Sequence, residues 1–217
     1  MYLSRLILNP RSRRVQREIA EPYQMHRSLM RAFPDDLDPE SERVLFRLDV
    51  RPCGSELVLL VQSATVPDWS WLAEPSARGY LPPMSQPNPA IKSFDLHLAP
   101  GQVLAFRLRA NPTVKRTMEG KKKRLGLYRE TEQMDWLARK AEQGGFRLLS
   151  ARTANLETVG GRLHRDDHTH NLNLFAVQFD GLLQVIDPVR LRETVRRGIG
   201  SGKGLGFGLL SLARPQV

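Results

Sequence analysis

Apolar positions recur along this chain with two periods, one of two residues and one close to 3.6, and their succession predicts one order of elements used twice. Tyr2–Leu8 is a β-type run closed by Asn9-Pro10, and the basic stretch at 11–17 reads as an exposed loop. Pro22 suits the first position of a helix. Met25, Leu29, Ala32 and Phe33 fall on one face of it before Pro34-Asp35-Asp36 stops the run. Residues 43–51 alternate, with Val44, Phe46, Leu48 and Val50 on one face, and 57–64 make a second strand. Asp68-Trp69-Ser70-Trp71-Leu72 reads as the start of a short helix, 82–89 as a proline-rich loop and 91–98 as a weak strand. The order is βαββαβ.

Ala99-Pro100-Gly101 reads as a boundary, because the strand Val103–Ala110 begins the same order again, with Leu104, Phe106 and Leu108 facing in and Arg107 and Arg109 facing out. Thr131 reads as the cap of a helix carrying Met134, Leu137, Ala138 and Ala141, which ends at Gly144-Gly145; residues 146–151 form the next strand. Residues 172–179 and 182–186 flank Asp180-Gly181 like a hairpin. Asp187-Pro188-Val189 then opens a helix closed by Arg196-Arg197, and 205–212 read as the last strand. The second half therefore repeats βαββαβ with one extra hairpin.

Composition narrows the class of protein. The 217 residues suffice for one large domain or two of about 100 residues each. No apolar run approaches the roughly 18 residues of a membrane span, and the opening residues do not resemble a signal peptide. The one cysteine, Cys53, excludes an internal disulfide framework and fits a reducing cytoplasm. A net charge of +10 favours a polyanionic partner, a description that nucleic acid, an anionic membrane surface and an acidic protein all meet.

Three stretches offer chemistry. On the helix that starts at Pro22, Tyr23, His26, Arg27 and Met30 share the face opposite the core, so a phenol, an imidazole and a guanidinium meet one surface. The densest basic segment follows Asn111-Pro112 and contains Lys115, Arg116, Lys121, Lys122, Lys123, Arg124 and Arg129. It reads either as a solvated loop or, given Gly120 and Gly126, as a hairpin that follows a phosphate backbone. Between Gly198 and Gly208 six glycines alternate with other residues. Bare amides there, around Gly200 and Gly202 and beside Lys203, would suit a phosphate. The alternative is a plain helix cap with a flexible turn. The spacing is one residue short of a P-loop and never gives the dinucleotide pattern. A further cluster, His164-Arg165-Asp166-Asp167-His168-Thr169-His170, reads as a solvated loop tip rather than a metal site, for it lacks the helix-spaced histidine pair of familiar zinc motifs.

These features together resemble the repeat-associated RNA-binding superfamily of CRISPR proteins. Met1-Tyr2-Leu3-Ser4, Tyr23-Gln24-Met25-His26-Arg27, Phe106-Arg107-Leu108-Arg109-Ala110-Asn111-Pro112 and the glycine-rich stretch running into Gly208-Leu209-Leu210-Ser211-Leu212 are similar to the CasE family of type I-E CRISPR RNA endoribonucleases, over nearly the whole chain. The resemblance implies an α+β fold of two tandem ferredoxin-like domains with antiparallel sheets. Residues 1–98 would carry the catalytic helix, and 101–217 the basic segment and the glycine loop. It also implies a metal-independent enzyme without a cofactor, which binds the repeat hairpin of precursor CRISPR RNA, cuts at its 3′ base and stays on the product within the Cascade complex, with no membrane partner. His26 matches the family's catalytic histidine and Tyr23 the tyrosine that accompanies it. Arg27 and Arg31 fall to phosphate stabilisation, and Arg107, Arg109, Lys115 and Arg116 to RNA binding. The cluster Lys121, Lys122, Lys123 and Arg124 matches no motif of the family.

RNA brings its own nucleophile, the 2′-hydroxyl, so cleavage requires removing that proton, holding the oxygen in line with phosphorus and protonating the leaving 5′-oxygen. Histidine suits both proton steps, with an ordinary pKa of about 6.5, and the products are a 2′,3′-cyclic phosphate and a 5′-hydroxyl. Two competing expectations are a non-catalytic RNA-hairpin-binding subunit and a nucleotide hydrolase. The hydrolase is disfavoured by the glycine spacing and by the want of a magnesium-binding carboxylate set.

Overall fold

The run Tyr2–Leu8, with Ser4, Leu6 and Leu8 buried, is strand β1, and two later strands of the first half pair with it, one on each side. In the computed structural model, residues 1–38, 42–50, 56–118, 120–165 and 168–215 are described. Cys53, Asp166 and Asp167 lie outside them. The chain divides into two units. The first comprises Met1–Asp95 with Gly160–Leu172 and Gly204–Gly206, and the second Leu96–Val159, Asn173–Lys203 and Phe207–Val217.

In the first unit β1 is followed by helices α1 (Arg13–Ala20) and α2 (Pro22–Met30), strands β2 (Leu45–Val50) and β3 (Leu57–Ser63), two 3₁₀ turns at Ser70–Ala73 and Pro75–Ala77, and β4 (Ala90–Ser93). The sheet order is β2-β3-β1-β4 with antiparallel pairs throughout, the ferredoxin-like order. The Asn88 side chain extends the β4 edge by donating to Ile7 O and accepting from Ile7 N, both at 2.9 Å. Leu6, Leu8, Val15, Met25, Leu29, Phe46, Leu59 and Trp71 are buried in one core, each such side chain contributing roughly 1.5–3 kcal/mol.

Of residues 11–17, expected as an exposed loop, Arg13–Arg17 instead begin helix α1. The reason is long-range. Val15 is fully buried, and the buried Glu18 carboxylate accepts from Arg14 Nε at 2.9 Å, Ser28 Oγ at 2.6 Å and Tyr80 OH at 2.6 Å. A buried carboxylate is tolerated only when paired and hydrogen-bonded in this way. Arg14 also lies over the rings of Trp71 and Tyr80, at 5.0 and 5.3 Å. The expected helix at Asp68–Leu72 is one 3₁₀ turn, and the weak strand expected at 91–98 is β4, four residues long.

The second unit runs β5 (Val103–Ala110), β6 (Thr113–Met118), β7 (Lys121–Gly126), α3 (Glu130–Gln143), β8 (Phe146–Arg165), β9 (His168–Val185), α4 (Pro188–Arg197), a 3₁₀ turn at Lys203–Leu205 and β10 (Leu210–Ala213). Its four-stranded sheet has the order β10-β5-β9-β8, again ferredoxin-like, and β6 and β7 form a separate hairpin. Trp136 stacks on Phe179 at 6.0 Å within its core. Asp187 caps α4 as expected, accepting from the amides of Val189 and Arg190.

Three expectations are corrected here. Asp180-Gly181 is no turn: β9 passes straight through it, paired with β5 from Val103↔Gln184 to Ala110↔Val177. A Cβ at Gly181 would meet Ser150 O of β8 at 2.1 Å, so this glycine permits close approach of a strand. The inserted hairpin is β6–β7, in the basic segment. The last strand is shorter than 205–212, because Gly206 and Gly208 take φ of +83° and +89°, outside the pleated range. Helix α3 starts at Glu130, with Arg129 rather than Thr131 at its cap. No helix of the described residues is long and apolar enough to cross a membrane.

Candidate functional site

Pro22 presets the first turn of α2, and the spacing of Met25 and Leu29 turns one face of the helix into the core, which leaves His26 half-buried at its margin. The imidazole lies nearly parallel to the ring of Phe46 on β2, at 15° with centroids 6.3 Å apart, and the Tyr23 ring lies 6.4 Å away on the same helix. Gly204 comes up against the same ring. A Cβ built there would stand 3.7 Å from His26 Cδ2 and Nε2. His26 Nδ1 is buried and has no hydrogen-bond partner among the described residues. Burial lowers the pKa of His26 below the ordinary imidazole value. An imidazole held neutral at neutral pH is equipped to take a proton. Arg27, one residue on, is exposed and places a cation on the same turn.

Arg31, expected to stabilise phosphate, is engaged elsewhere. Its Nη2 donates to both carboxylate oxygens of Glu74 at 2.7 Å, and its guanidinium lies 4.9 Å over Trp71. The hydrogen bond from Arg31 holds Glu74 below the usual carboxylate range.

In the second unit, Arg107 pairs with Asp180, its partner across β5 and β9, at 2.6 Å. Burial pushes the Asp180 carboxyl up, yet the hydrogen bonds from Arg107 and Gln178 hold it below its ordinary value. Arg109 lies 5.4 Å over the Phe207 ring, and its carbonyl accepts from Gly208 N at 2.8 Å. Lys115 and Arg116 are exposed on β6, where Lys115 faces Arg124 and Arg116 faces Lys123 in the register of the hairpin; Lys121 and Lys122 begin β7 opposite Met118 and Thr117. The basic segment is thus a charged ribbon.

A cavity of about 760 Å³ opens beside that ribbon. Lys115, Arg124, Lys140, Arg190, Arg197 and Lys203 bring six cations to its wall against the single carboxylate of Glu193. Ser201 Oγ is buried there and has no hydrogen-bond partner among the described residues. Such a wall suits an anion. The structure thereby gathers Lys115, Arg124, Gly200 and Lys203, which the sequence pointed to, with Lys140, Arg190 and Arg197, which it did not. Their signal was visible: Lys140 and Arg197 sit in the last turns of α3 and α4, where a cation at a helix end is ordinarily explained by the helix dipole.

The glycine loop has two sides. Gly200 and Gly202, with φ of +84° and +79°, are packed so closely that a Cβ would stand 3.2 Å from the Trp136 ring and 3.0 Å from that of Phe207. Ile199 N donates to Gly208 O and closes the loop at its neck. Ring packing thus explains these glycines locally. Among the described residues no group of three His, Cys, Asp or Glu is placed to hold a metal ion.

Over residues 1–214 the chain matches the model of a family described as CRISPR associated protein. It is 41% identical over 221 residues to the CRISPR-associated endoribonuclease Cse3 of Thermus thermophilus, covering 98% of this chain and all of that one. To the CRISPR system Cascade subunit CasE of Escherichia coli it is 30% identical over 224 residues, covering 98% and 99%. Among solved structures, Thermus thermophilus Cse3 bound to an RNA representing a pre-cleavage complex superimposes with a TM-score of 0.78 at 41% identity, over 98% of both chains.

Proposed function

The chain belongs to the type I-E CasE/Cse3 family of CRISPR associated proteins, and from that membership we propose that His26 is the proton-transfer group of an RNA-cleaving site. The protein is an endoribonuclease that binds and processes precursor CRISPR RNA. It grips the repeat hairpin, cuts at the 3′ base of the stem without a metal ion, and keeps the product as a subunit of Cascade in the cytoplasm.

The observation that carries this reading is the setting of His26: a half-buried imidazole, kept neutral by burial, with Tyr23 and Arg27 on the same helix face. Neutral imidazole accepts the proton of the 2′-hydroxyl as that oxygen attacks phosphorus, and the imidazolium so formed protonates the 5′-oxygen as its bond to phosphorus breaks. Arg27 stabilises the charge that develops on the phosphorane, and Tyr23 orients the reacting groups. The cations of the cavity and the β6–β7 ribbon supply affinity along the stem phosphates. An A-form stem hides its base edges in a deep, narrow groove, so the stem is held by shape and charge, and sequence is read near its ends. Arg31 and Arg107, already bound to carboxylates, serve this interface only if the RNA phosphate displaces Glu74 or Asp180.

The test is an incubation of the purified protein with an end-labelled repeat hairpin in EDTA. Full cleavage is expected, with a 2′,3′-cyclic phosphate on the upstream fragment. A 3′-hydroxyl end, or activity that returns only with magnesium, overturns the reading.

Replacing Lys121, Lys122 and Lys123 together by alanine should weaken binding to stems of different sequence alike. The slope of log affinity against log salt should fall by up to about three units, as each lost phosphate contact removes close to one. Cleavage at saturating protein should survive. Filter binding over a salt series reads this directly, and an unchanged slope would assign these lysines to solvent.

A further inference from the structure

Catalytic histidines are commonly oriented by a hydrogen bond to the ring nitrogen that does not react. His26 Nδ1 has no such partner among the described residues, although it is buried. The ring must therefore be held by what it packs against. Phe46 lies nearly parallel to it, and Gly204 stands beside Cδ2, Nε2 and Cε1. Phe46 is itself 2% exposed and built into the sheet opposite Val61, so its ring has no outward escape.

Gly206 stands against the same Phe46 ring. Its φ of +83° is in the left-handed region, and a Cβ there would approach Phe46 Cε2 to 3.0 Å, with Cδ2 and Cζ at 3.5 and 3.6 Å. A side chain at 206 would press the Phe46 ring, and Phe46 would carry the displacement to the imidazole beside it. We propose that Phe46 and Gly206 are positioning residues for the cleavage reaction, the glycine leaving room for a ring that sets the orientation of His26 in place of a hydrogen bond. This gives the far end of the glycine loop a role distinct from cradling phosphate. The proposal rests on His26 being the proton-transfer group.

The experiment compares Gly206→Ala and Phe46→Leu with Gly79→Ala in the full chain. Gly79 has the same left-handed backbone, φ +75°, but a Cβ there meets nothing within 4 Å, so that variant controls for backbone strain alone. Gly206→Ala should lower the single-turnover rate at saturating protein by about tenfold to a hundredfold, the scale of a misplacement near one ångström, with hairpin affinity unchanged. Phe46→Leu should do the same, and the double variant should lose less than the product of the two, since both act through one ring. Titration of the His26 ring protons by NMR in the RNA-free protein should move toward the ordinary imidazole value in both. The Gly79 variant should match the wild type on every measure.

The proposal fails if Gly206→Ala behaves as Gly79→Ala does, if the rate loss is matched by lost affinity, or if the two substitutions are independent. Should Gly206→Ala not fold, Phe46→Leu and the NMR titration decide alone. Wild-type cleavage by His26→Ala would sink the reading beneath the proposal, whereas an unmoved titration in Gly206→Ala and Phe46→Leu would sink only the positioning role.

Discussion

Replacing His26 by alanine is expected to slow cleavage by about 100-fold to 10,000-fold under single-turnover conditions, the usual contribution of a positioned acid or base, while affinity for the repeat hairpin stays nearly unchanged. Chemistry and affinity separate because they rest on different residues. The imidazole stands on α2 beside Phe46 and Gly204, whereas the cations proposed to bind phosphate line the β6–β7 ribbon and the cavity of the second unit. Burial favours neutral imidazole, so the wild-type rate should be flat through neutral pH and fall on the acid side, at a pH below the ordinary value of about 6.5.

The same shift bears on stability. A histidine whose pKa is lowered on folding binds fewer protons in the native state. Its stabilising contribution is therefore complete above about pH 6.5 and is lost as the pH falls through the lowered native value. A pH–rate profile beside an acid-unfolding series on the wild type and on His26→Ala reads both. Cleavage by the alanine variant at the wild-type rate would remove His26 from the mechanism and leave the chain an RNA-binding protein at that position.

A substrate with 2′-deoxyribose at the single nucleotide preceding the cut should bind normally and remain intact. Removing one oxygen removes the nucleophile, and no effect among those invoked here supplies another, because each acts on an attack that can no longer begin. The loss should be complete rather than partial, which distinguishes this substitution from every change on the protein. Competition between deoxy and all-ribo hairpins gives the affinity, and end analysis after long incubation gives the cleavage. Any cut at the modified position implies a water nucleophile, and with it a different site.

Local pattern carried much of this protein. The strand Val103–Ala110 keeps its expected bounds, the helix from Pro22 starts where its proline places it although it ends at Met30, short of Ala32 and Phe33, and Asp187 caps α4 with its own carboxylate. Each depends on residues within one turn or one strand: a fixed proline φ, a period of two or of 3.6, a side-chain acceptor two or three residues from its donor. The repeated order of elements follows from such signals, and so does the placing of Tyr23, His26 and Arg27 on one helix face.

Sequence pattern and structure part where a partner distant in sequence decides the outcome. The stretch at 11–17 is basic and polar enough for a loop, but the Arg14–Glu18 pair and its bonds to Ser28 and Tyr80, up to 62 residues away, make it a helix. Asp180-Gly181 has the composition of a turn, yet the close backbone of β8 calls for glycine inside a continuous strand. Arg31 and Arg107 read as free cations until Glu74 and Asp180, 43 and 73 residues on, are brought to them. The cations at the ends of α3 and α4 meet Lys115 and Arg124 only when the helices and the hairpin border one cavity. What the residues determined alone is therefore most of the elements, the repeated order they follow and the imidazole on its face, because backbone dihedrals and apolar period act over a few positions. The tertiary structure decided which charges are neutralised, which glycines serve packing, and how the His26 ring is walled in, because charge pairing and ring contact depend on distance in space.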